Sequence, residues 1–206
     1  METTPWALRL YSAADEVFWA ARLTLLWTVF TLAGGVLLGV GPATVAAYTL
    51  ARRHVRGESM RAWPAFAGAY RREFVRGSLL VLPLAGATVL LIVNSFYFAT
   101  TKAAGLRLTT LAAVVAVVVI AVYLLPMAVH YDLRTPAYLP KASLFALTRP
   151  AASVLLLFVA VAIGYAVTAY PFLVVVAVGG WIQLNTWLCL RLFAENEARL
   201  TAKGAT

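Results

Sequence analysis

Four long stretches of the sequence contain no charged residue, and their lengths decide what the chain can fold into. They cover residues 23–51, 77–101, 108–129 and 150–190. A helix needs about 20 predominantly apolar residues to cross the hydrocarbon core of a bilayer. The last stretch is long enough for two crossings, and the segment TAYP at 168–171 is typical of a turn between them. These stretches predict an all-α fold: a polytopic membrane helical bundle with five transmembrane helices.

The composition agrees with a membrane protein. Apolar residue types make up 63% of the 206 residues and charged types 12%, whereas soluble domains have about 45–50% and about 25%. The chain has 17 Lys and Arg against 8 Asp and Glu. In a membrane protein this excess is typical of cytoplasmic loops and of contact with anionic lipid headgroups. The bilayer is therefore the expected partner, and nucleic acid is not.

The whole chain, 1–206, is predicted to form a single membrane domain. The predicted spans are 23–42, 78–100, 108–130, 150–169 and 172–193. Three further helices are predicted to be amphipathic and to lie at the membrane interface, at 6–21, 60–76 and 140–149.

The distribution of basic residues predicts an orientation. Thirteen of the Lys and Arg residues fall within 52–76, 131–149 or 191–203. The positive-inside rule places these segments in the cytoplasm, with the C-terminus inside and the N-terminus outside. The expected location is the bacterial cytoplasmic membrane, with the helix at 6–21 on its outer face.

A helix break is predicted in the segment LLGVGPATVAAY. One straight helix over 23–50 would be about 42 Å long at 1.5 Å per residue, which exceeds the hydrocarbon core. Pro42 cannot donate a hydrogen bond to the preceding turn and is favourable as the first residue of a new helix. The predicted break therefore lies at Gly39, Gly41 and Pro42. The following residues, 43–51, could span, bend or lie at the interface.

The basic segment at 60–76 places aromatic residues on one helical face and arginines on the other. The simpler interpretation is an orientation signal that also contacts lipid; the alternative is a docking surface for a cytoplasmic protein. The candidate contacts are Arg61, Arg71, Arg72 and Arg76.

Few polar side chains fall within the predicted spans. The candidates are Asn94, Gln183, Asn185 and Thr186. Such groups commonly form hydrogen bonds between membrane helices. The alternative is a polar pathway for a neutral solute.

No residue pattern indicates catalysis. All eight acidic residues lie outside the predicted spans, which argues against a proton-coupled pump. His54 and His130 are far apart in sequence, and Cys189 is the only cysteine, so neither a metal site nor an internal disulfide is expected. We expect no catalytic residue, no metal and no cofactor, and therefore a protein that is not an enzyme.

The most specific element of the sequence is Gly41, Pro42 and Ala43, followed by the segment ARRHVRGE. With the aromatic and basic stretch and four further spans, it resembles the YesL-like family of bacterial membrane proteins. Members of that family often accompany genes for carbohydrate import and breakdown, and the resemblance brings no catalytic or binding residue. It implies an accessory role beside sugar ABC transporters.

The sequence therefore leads to two alternative hypotheses about function. The first is a non-enzymatic accessory or scaffold subunit associated with carbohydrate ABC import, with sugar ABC transporter subunits as partners. It predicts a tightly packed bundle without a continuous polar cavity. The alternative is a small carrier or channel for a neutral solute such as a sugar, as a homo-oligomer, with a cavity lined by Asn94, Gln183 or Asn185.

Overall fold

Helices account for almost all of the residues that the computed structural model describes, which are 5–100, 104–131 and 135–204. Eight α-helices lie in these ranges: α1 (Pro5–Ala33), α2 (Leu37–Val55), α3 (Ala62–Arg72), α4 (Phe74–Thr100), α5 (Ala104–His130), α6 (Tyr138–Thr148), α7 (Pro150–Ala169) and α8 (Val174–Gly204). Short 3-10 turns at Thr135–Ala137 and Pro171–Leu173 precede α6 and α8.

Five helical segments are long and apolar enough to cross a membrane. They are Leu10–Ala33, Phe74–Ala99, Ala104–His130, Pro150–Ala169 and Pro171–Ala198. The all-α bundle with five spans is therefore confirmed, and the last four spans lie close to their predicted bounds. The first span begins and ends earlier than the predicted 23–42.

The separate interfacial helix predicted at 6–21 is wrong, because α1 is one continuous helix. Between Pro5 and Gly34 the sequence contains neither proline nor glycine, so nothing interrupts the helical hydrogen bonds. The longer first span also includes Asp15 and Glu16, and the last one includes Glu195 and Glu197.

The helix break predicted at Gly39, Gly41 and Pro42 lies instead between α1 and α2, at residues 34–36. Gly35 and Val36 have φ angles of 74° and 56°, and the Val36 ψ angle is −68°. The amide of Leu37 donates to the carbonyl of Gly35 at 2.7 Å. These values describe a γ-turn centred on Val36, a tight and strained reversal of the chain.

Pro42 lies inside α2 because a neighbouring helix compensates for its missing N–H group. The carbonyl of Leu38, four residues earlier, loses its helical donor. The hydroxyl of Ser78 on α4 is 3.3 Å from that carbonyl and 2.7 Å from the carbonyl of Phe74. The single hydroxyl proton is shared between the two carbonyls, and the Leu38 carbonyl receives the longer, weaker contact from this neighbouring helix.

The glycines of the same segment allow helices to approach closely. A Cβ atom on Gly41 would lie 2.7 Å from the Cα atom of Ser78, and one on Gly77 would lie 2.9 Å from the Cα atom of Pro42. Since Cβ atoms almost never come within 3.0 Å of backbone, only glycine fits either position. Gly41 and Pro42 are therefore the residues at which α2 crosses α4.

Two clusters of buried side chains form the core. The first joins α1, α2 and α3 and includes Leu23, Ala46 and Phe66. The second joins α5, α6 and α8 and includes Tyr123, Tyr138 and Phe193. Leu125 and Trp181 pack against both clusters and connect them.

The helices predicted at 60–76 and 140–149 are present as α3 and α6, and both pack on the protein. Phe66 on α3 is fully buried, and the rings of Phe66 and Tyr70 lie 4.9 and 5.2 Å from that of Phe30 on α1. Tyr138 and Ala142 bury α6 in the second cluster. Much of the apolar face that amphipathicity assigned to lipid therefore covers the core.

Replacing Val36 with glycine is expected to stabilise the protein by about 1 kcal/mol. A β-branched residue at positive φ stores roughly 1–3 kcal/mol, part of which glycine's greater flexibility in the unfolded chain offsets. The Val36 side chain is 53% exposed, so little packing is lost. Equilibrium unfolding in mixed micelles measures the change. Leu37→Gly, at the neighbouring helical and exposed position, is the control and should destabilise; a loss of stability in Val36→Gly would contradict the strained turn.

Candidate functional site

Asn185 on α8 is fully buried, and its side chain connects three helices. Its amide nitrogen donates to the hydroxyl of Tyr48 on α2 at 2.7 Å and to the carbonyl of Val122 on α5 at 3.1 Å. Its oxygen accepts from the thiol of Cys189 at 3.3 Å. Because a side-chain amide has two N–H groups, both donors are used within the protein. Asn185 is therefore an interhelix contact.

The carbonyl of Val122 is available to Asn185 because Pro126 follows it by four residues. Pro126 lies inside α5 and has no N–H group to donate to that carbonyl. Asn185 replaces the missing helical donor from outside the helix, as membrane-embedded backbone requires. The spacing of four residues before the proline was the signal that could have identified Val122 from the sequence.

The other three polar candidates have different surroundings. The Thr186 hydroxyl is buried and donates to the carbonyl of Ile182 in its own helix at 2.6 Å. Asn94 is half-buried on α4 and does not line the cavities that Gln183 or the Asn185 partners line. Gln183 borders a large open space.

That space, which we call the α1–α8 cleft, lies between α1, α2 and α8 and has a volume of about 620 Å³. Its walls include Glu16, Val17, His54, Gly180, Gln183 and Trp187. Most of this lining is apolar, and three polar side chains meet on one wall.

The polar wall of the α1–α8 cleft is held by a chain of contacts. The indole N–H of Trp19 donates to the Gln183 oxygen at 3.1 Å, and the Gln183 nitrogen donates to the Glu16 carboxylate at 3.1 Å. The Nε2 atom of His54 lies 3.5 Å from that carboxylate, and its ring stacks on Trp19 with centroids 4.2 Å apart. The wall is therefore preorganised.

These contacts overturn one element of the predicted topology. Glu16 was expected on the outer face and His54 beside the cytoplasmic basic segment, yet the two side chains touch. The reason is that α1 and α2 form an antiparallel hairpin around the turn at 34–36, while α1 also runs antiparallel to α8. The N-terminal half of α1 and the end of α2 lie together, so 6–21 and the basic segment are not on opposite sides.

A second cavity, which we call the arginine pocket, has a volume of about 340 Å³ and lies among α2, the start of α4 and the end of α5. Its charged lining consists of Arg52, Arg53, Glu58, Arg72, Glu73 and Arg76. Four guanidinium groups thus face two carboxylates.

Two of these arginines cap the end of α5. Arg76 donates to the carbonyl of Ala128 at 3.1 Å and to the hydroxyl of Tyr138, and Arg52 donates to the carbonyl of Val129. The last carbonyls of a helix lack helical donors and attract cations. Burial lowers the pKa of the Arg52 guanidinium, and the nearby Arg56 lowers it further.

The four arginines predicted as docking or lipid contacts therefore differ in role. Arg76 is half-buried and bonded within the protein, so internal contacts already use its guanidinium, and its contact with lipid or protein stays a prediction. Arg61, Arg71 and Arg72 are exposed. Contact of these three with lipid or protein stays a prediction.

A third polar contact links α5 to α8. The hydroxyl of Tyr131 donates to the Glu197 carboxylate at 2.9 Å, and the Nε2 atom of His130 lies 3.6 Å from it. Burial and the adjacent carboxylate raise the pKa of Tyr131 to about 12, so the phenol stays protonated. Among the described residues, no group of three His, Cys, Asp or Glu side chains is placed to hold a metal ion.

Five apolar spans packed around a largely apolar core, with a preorganised cleft and a basic pocket, define a multi-pass helical membrane protein. This chain belongs to the DUF624 family, a family of proteins of unknown function. Residues 20–95 match the family model, and they include the α1–α2 turn, the Gly41 crossing and the six charged residues of the arginine pocket. The resemblance to YesL-like proteins is thereby confirmed.

Three proteins of Bacillus subtilis, each described as uncharacterized, are similar to this chain. YesV is 33% identical over 145 residues, which cover 68% of this chain and 70% of YesV. YesL is 26% identical over 152 residues, covering 73% and 68%. YteU is 28% identical over 133 residues, covering 63% and 60%. No solved structure matches the chain.

Proposed function

We propose that this protein is a non-enzymatic accessory or scaffold subunit associated with carbohydrate ABC import in the bacterial cytoplasmic membrane. The observation that carries the proposal is that both N–H groups of the Asn185 side chain are hydrogen-bonded to neighbouring helices. A buried amide whose two N–H groups are both bonded has no donor left for a passing solute. The class of importer comes from the family resemblance.

The α1–α8 cleft is the proposed docking surface, and its occupant is a transmembrane helix of a transporter subunit. Val17, Leu184 and Trp187 supply apolar walls that suit such a helix. Glu16 lies on the half of α1 that meets the end of α2, and Gln183 donates to its carboxylate at the polar wall of the cleft. Its carboxylate is still 57% exposed and retains acceptor capacity for a polar group on the partner.

The basic segments give the proposed orientation. Since the start of α1 and the end of α2 lie together, the positive-inside rule places both with the basic segment in the cytoplasm, and α2 then returns through the membrane beside α1 in addition to the five apolar spans. Arg61, Arg71 and Arg72 are then available to anionic lipid headgroups.

Filling the cleft is expected to abolish partner binding without unfolding the protein. A Cβ atom on Gly180 meets no atom within 4 Å and Gly180 lines the cleft, so Gly180→Leu extends its side chain into the cleft with no backbone clash at Cβ. Gly164 on α7 is equally open and lies outside the cleft, which makes Gly164→Leu the matched control. We expect sugar ABC transporter subunits to co-purify from native membranes in mild detergent with the wild type and the control. Their recovery should fall about tenfold with Gly180→Leu, the effect of losing about 1.4 kcal/mol of binding.

Full recovery of the wild-type protein without transporter subunits would overturn the proposal. The second candidate is a carrier or channel for a neutral solute, and Gln183 in the α1–α8 cleft favours it. It predicts solute flux in liposomes that drops in Gln183→Leu and self-association into a homo-oligomer. The scaffold proposal predicts no flux with either protein.

A further inference from the structure

We propose that the arginine pocket is a binding site for a phosphomonoester group. This inference goes beyond the accessory role, because the site is separate from the α1–α8 cleft and would exist whether or not a protein partner binds there.

The charges of the pocket do not balance. Arg53 is paired with Glu58 at 2.7 Å, and Arg76 is paired with Glu73 at 3.3 Å. Among the described residues, neither Arg52 nor Arg72 has a carboxylate within ion-pair distance. Two positive charges are therefore left over in a concave site that is also lined by two consecutive residues at the end of α5, Ala128 and Val129.

A phosphomonoester fits this excess better than other common anions. It carries a charge of about −1.5 to −2 at pH 7, close to the two unpaired guanidinium charges, and offers three acceptor oxygens. Guanidinium groups bind such oxygens with two parallel hydrogen bonds. A phosphodiester or a carboxylate carries only one negative charge and leaves one arginine uncompensated. Burial and the nearby Arg56 lower the pKa of the Arg52 guanidinium, and a bound anion would offset this cost of holding its charge half-buried.

Two kinds of ligand carry such a phosphomonoester group. One is the headgroup of phosphatidic acid in the bilayer, and the other is a phosphorylated compound in solution. Both would present the phosphate to Arg52 and Arg72, so the experiment must separate them.

The test uses the full-length protein and two matched variants. Arg72 is exposed and makes none of the bonds that cap α5, so Arg72→Gln removes one binding group without loosening the bundle. Arg71 is also exposed, on the same helix, and does not line the pocket, so Arg71→Gln controls for general surface charge. Glu58→Gln is the opposite change, because it releases Arg53 from its carboxylate and adds a third uncompensated charge.

Binding of inorganic phosphate is measured by calorimetry in detergent, and binding of phosphatidic acid against phosphatidylglycerol is measured in nanodiscs. We expect Arg72→Gln to weaken phosphomonoester binding about tenfold, as for one lost charge-assisted hydrogen bond. Arg71→Gln should leave it within about twofold, and Glu58→Gln should tighten it, which no damage to the fold would do. Saturable binding of phosphate in detergent indicates the soluble source, and a preference for phosphatidic acid in nanodiscs without it indicates the lipid. Equal weakening by both arginine variants, or no saturable binding of either probe, would overturn the proposal.

Discussion

A single methyl group added at Gly179 is expected to destabilise the protein by about 3 kcal/mol, at the upper end of the cost of overpacking. Gly179 lies where α8 crosses α1, and its Cβ atom would be 2.0 Å from the carbonyl oxygen of Ala20. Its amide also donates to the Thr24 hydroxyl at 2.9 Å. Gly179→Ala must therefore push the two helices apart and stretch that hydrogen bond. Equilibrium unfolding in mixed micelles measures the loss.

The neighbouring residue provides the control. A Cβ atom on Gly180 meets no atom within 4 Å, so Gly180→Ala adds the same methyl group to the same helix in open space. Its effect should be neutral or a gain of up to about 1 kcal/mol from helix propensity. If the two alanine variants are equally stable, α1 and α8 do not approach at Gly179 as described.

Replacing Asn185 with leucine, which has a similar volume, is expected to cost about 2–3 kcal/mol. The substitution leaves the Tyr48 hydroxyl and the Val122 carbonyl buried without their donor. Hydrogen bonds between membrane helices contribute about 0.6 kcal/mol on average and up to about 1.7. Two bonds are lost here and both partners are left unsatisfied, so the cost lies toward the high end.

Pro126→Ala tests the physical reason for that cost. Alanine restores an N–H group that can donate to the Val122 carbonyl within α5. The penalty of Asn185→Leu should therefore be smaller by about 1 kcal/mol in the Pro126→Ala background than in the wild type. Equal penalties in the two backgrounds would show that Asn185 does not compensate for the proline.

The spans could be predicted from the sequence because backbone groups in lipid must be satisfied within helices, which makes long apolar runs decisive. The first span was misplaced because the sequence offers two breaks, Gly34 with Gly35 and Gly41 with Pro42. Local preference favours the proline. The structure uses the glycine pair because Ser78, 36 residues after Pro42, supplies a hydrogen bond to the freed carbonyl. No local pattern reveals that contact.

The candidate sites could be predicted from the sequence only in part. Gln183 and Asn185 were both found as polar residues in a span, and their separate roles follow from helix geometry. Two residues correspond to a rotation of about 200°, so their side chains lie on opposite faces. The arginine pocket was not predictable, because it needs residues from α2 and α4 to meet at the end of α5. Amphipathicity assigned Arg76 to the surface because the sequence does not show that Ala128 and Tyr138 accept its hydrogen bonds.

The last turn of α2 carries residues of both cavities. Arg52 and Arg53 line the arginine pocket, while His54 and Val55 line the α1–α8 cleft. A rotation or tilt of this turn would therefore change both cavities at once. If occupancy of one cavity favours one position of the turn, it changes affinity at the other, and the coupling free energy is the same in both directions. Binding in the arginine pocket and binding in the α1–α8 cleft would then be allosterically coupled through the last turn of α2.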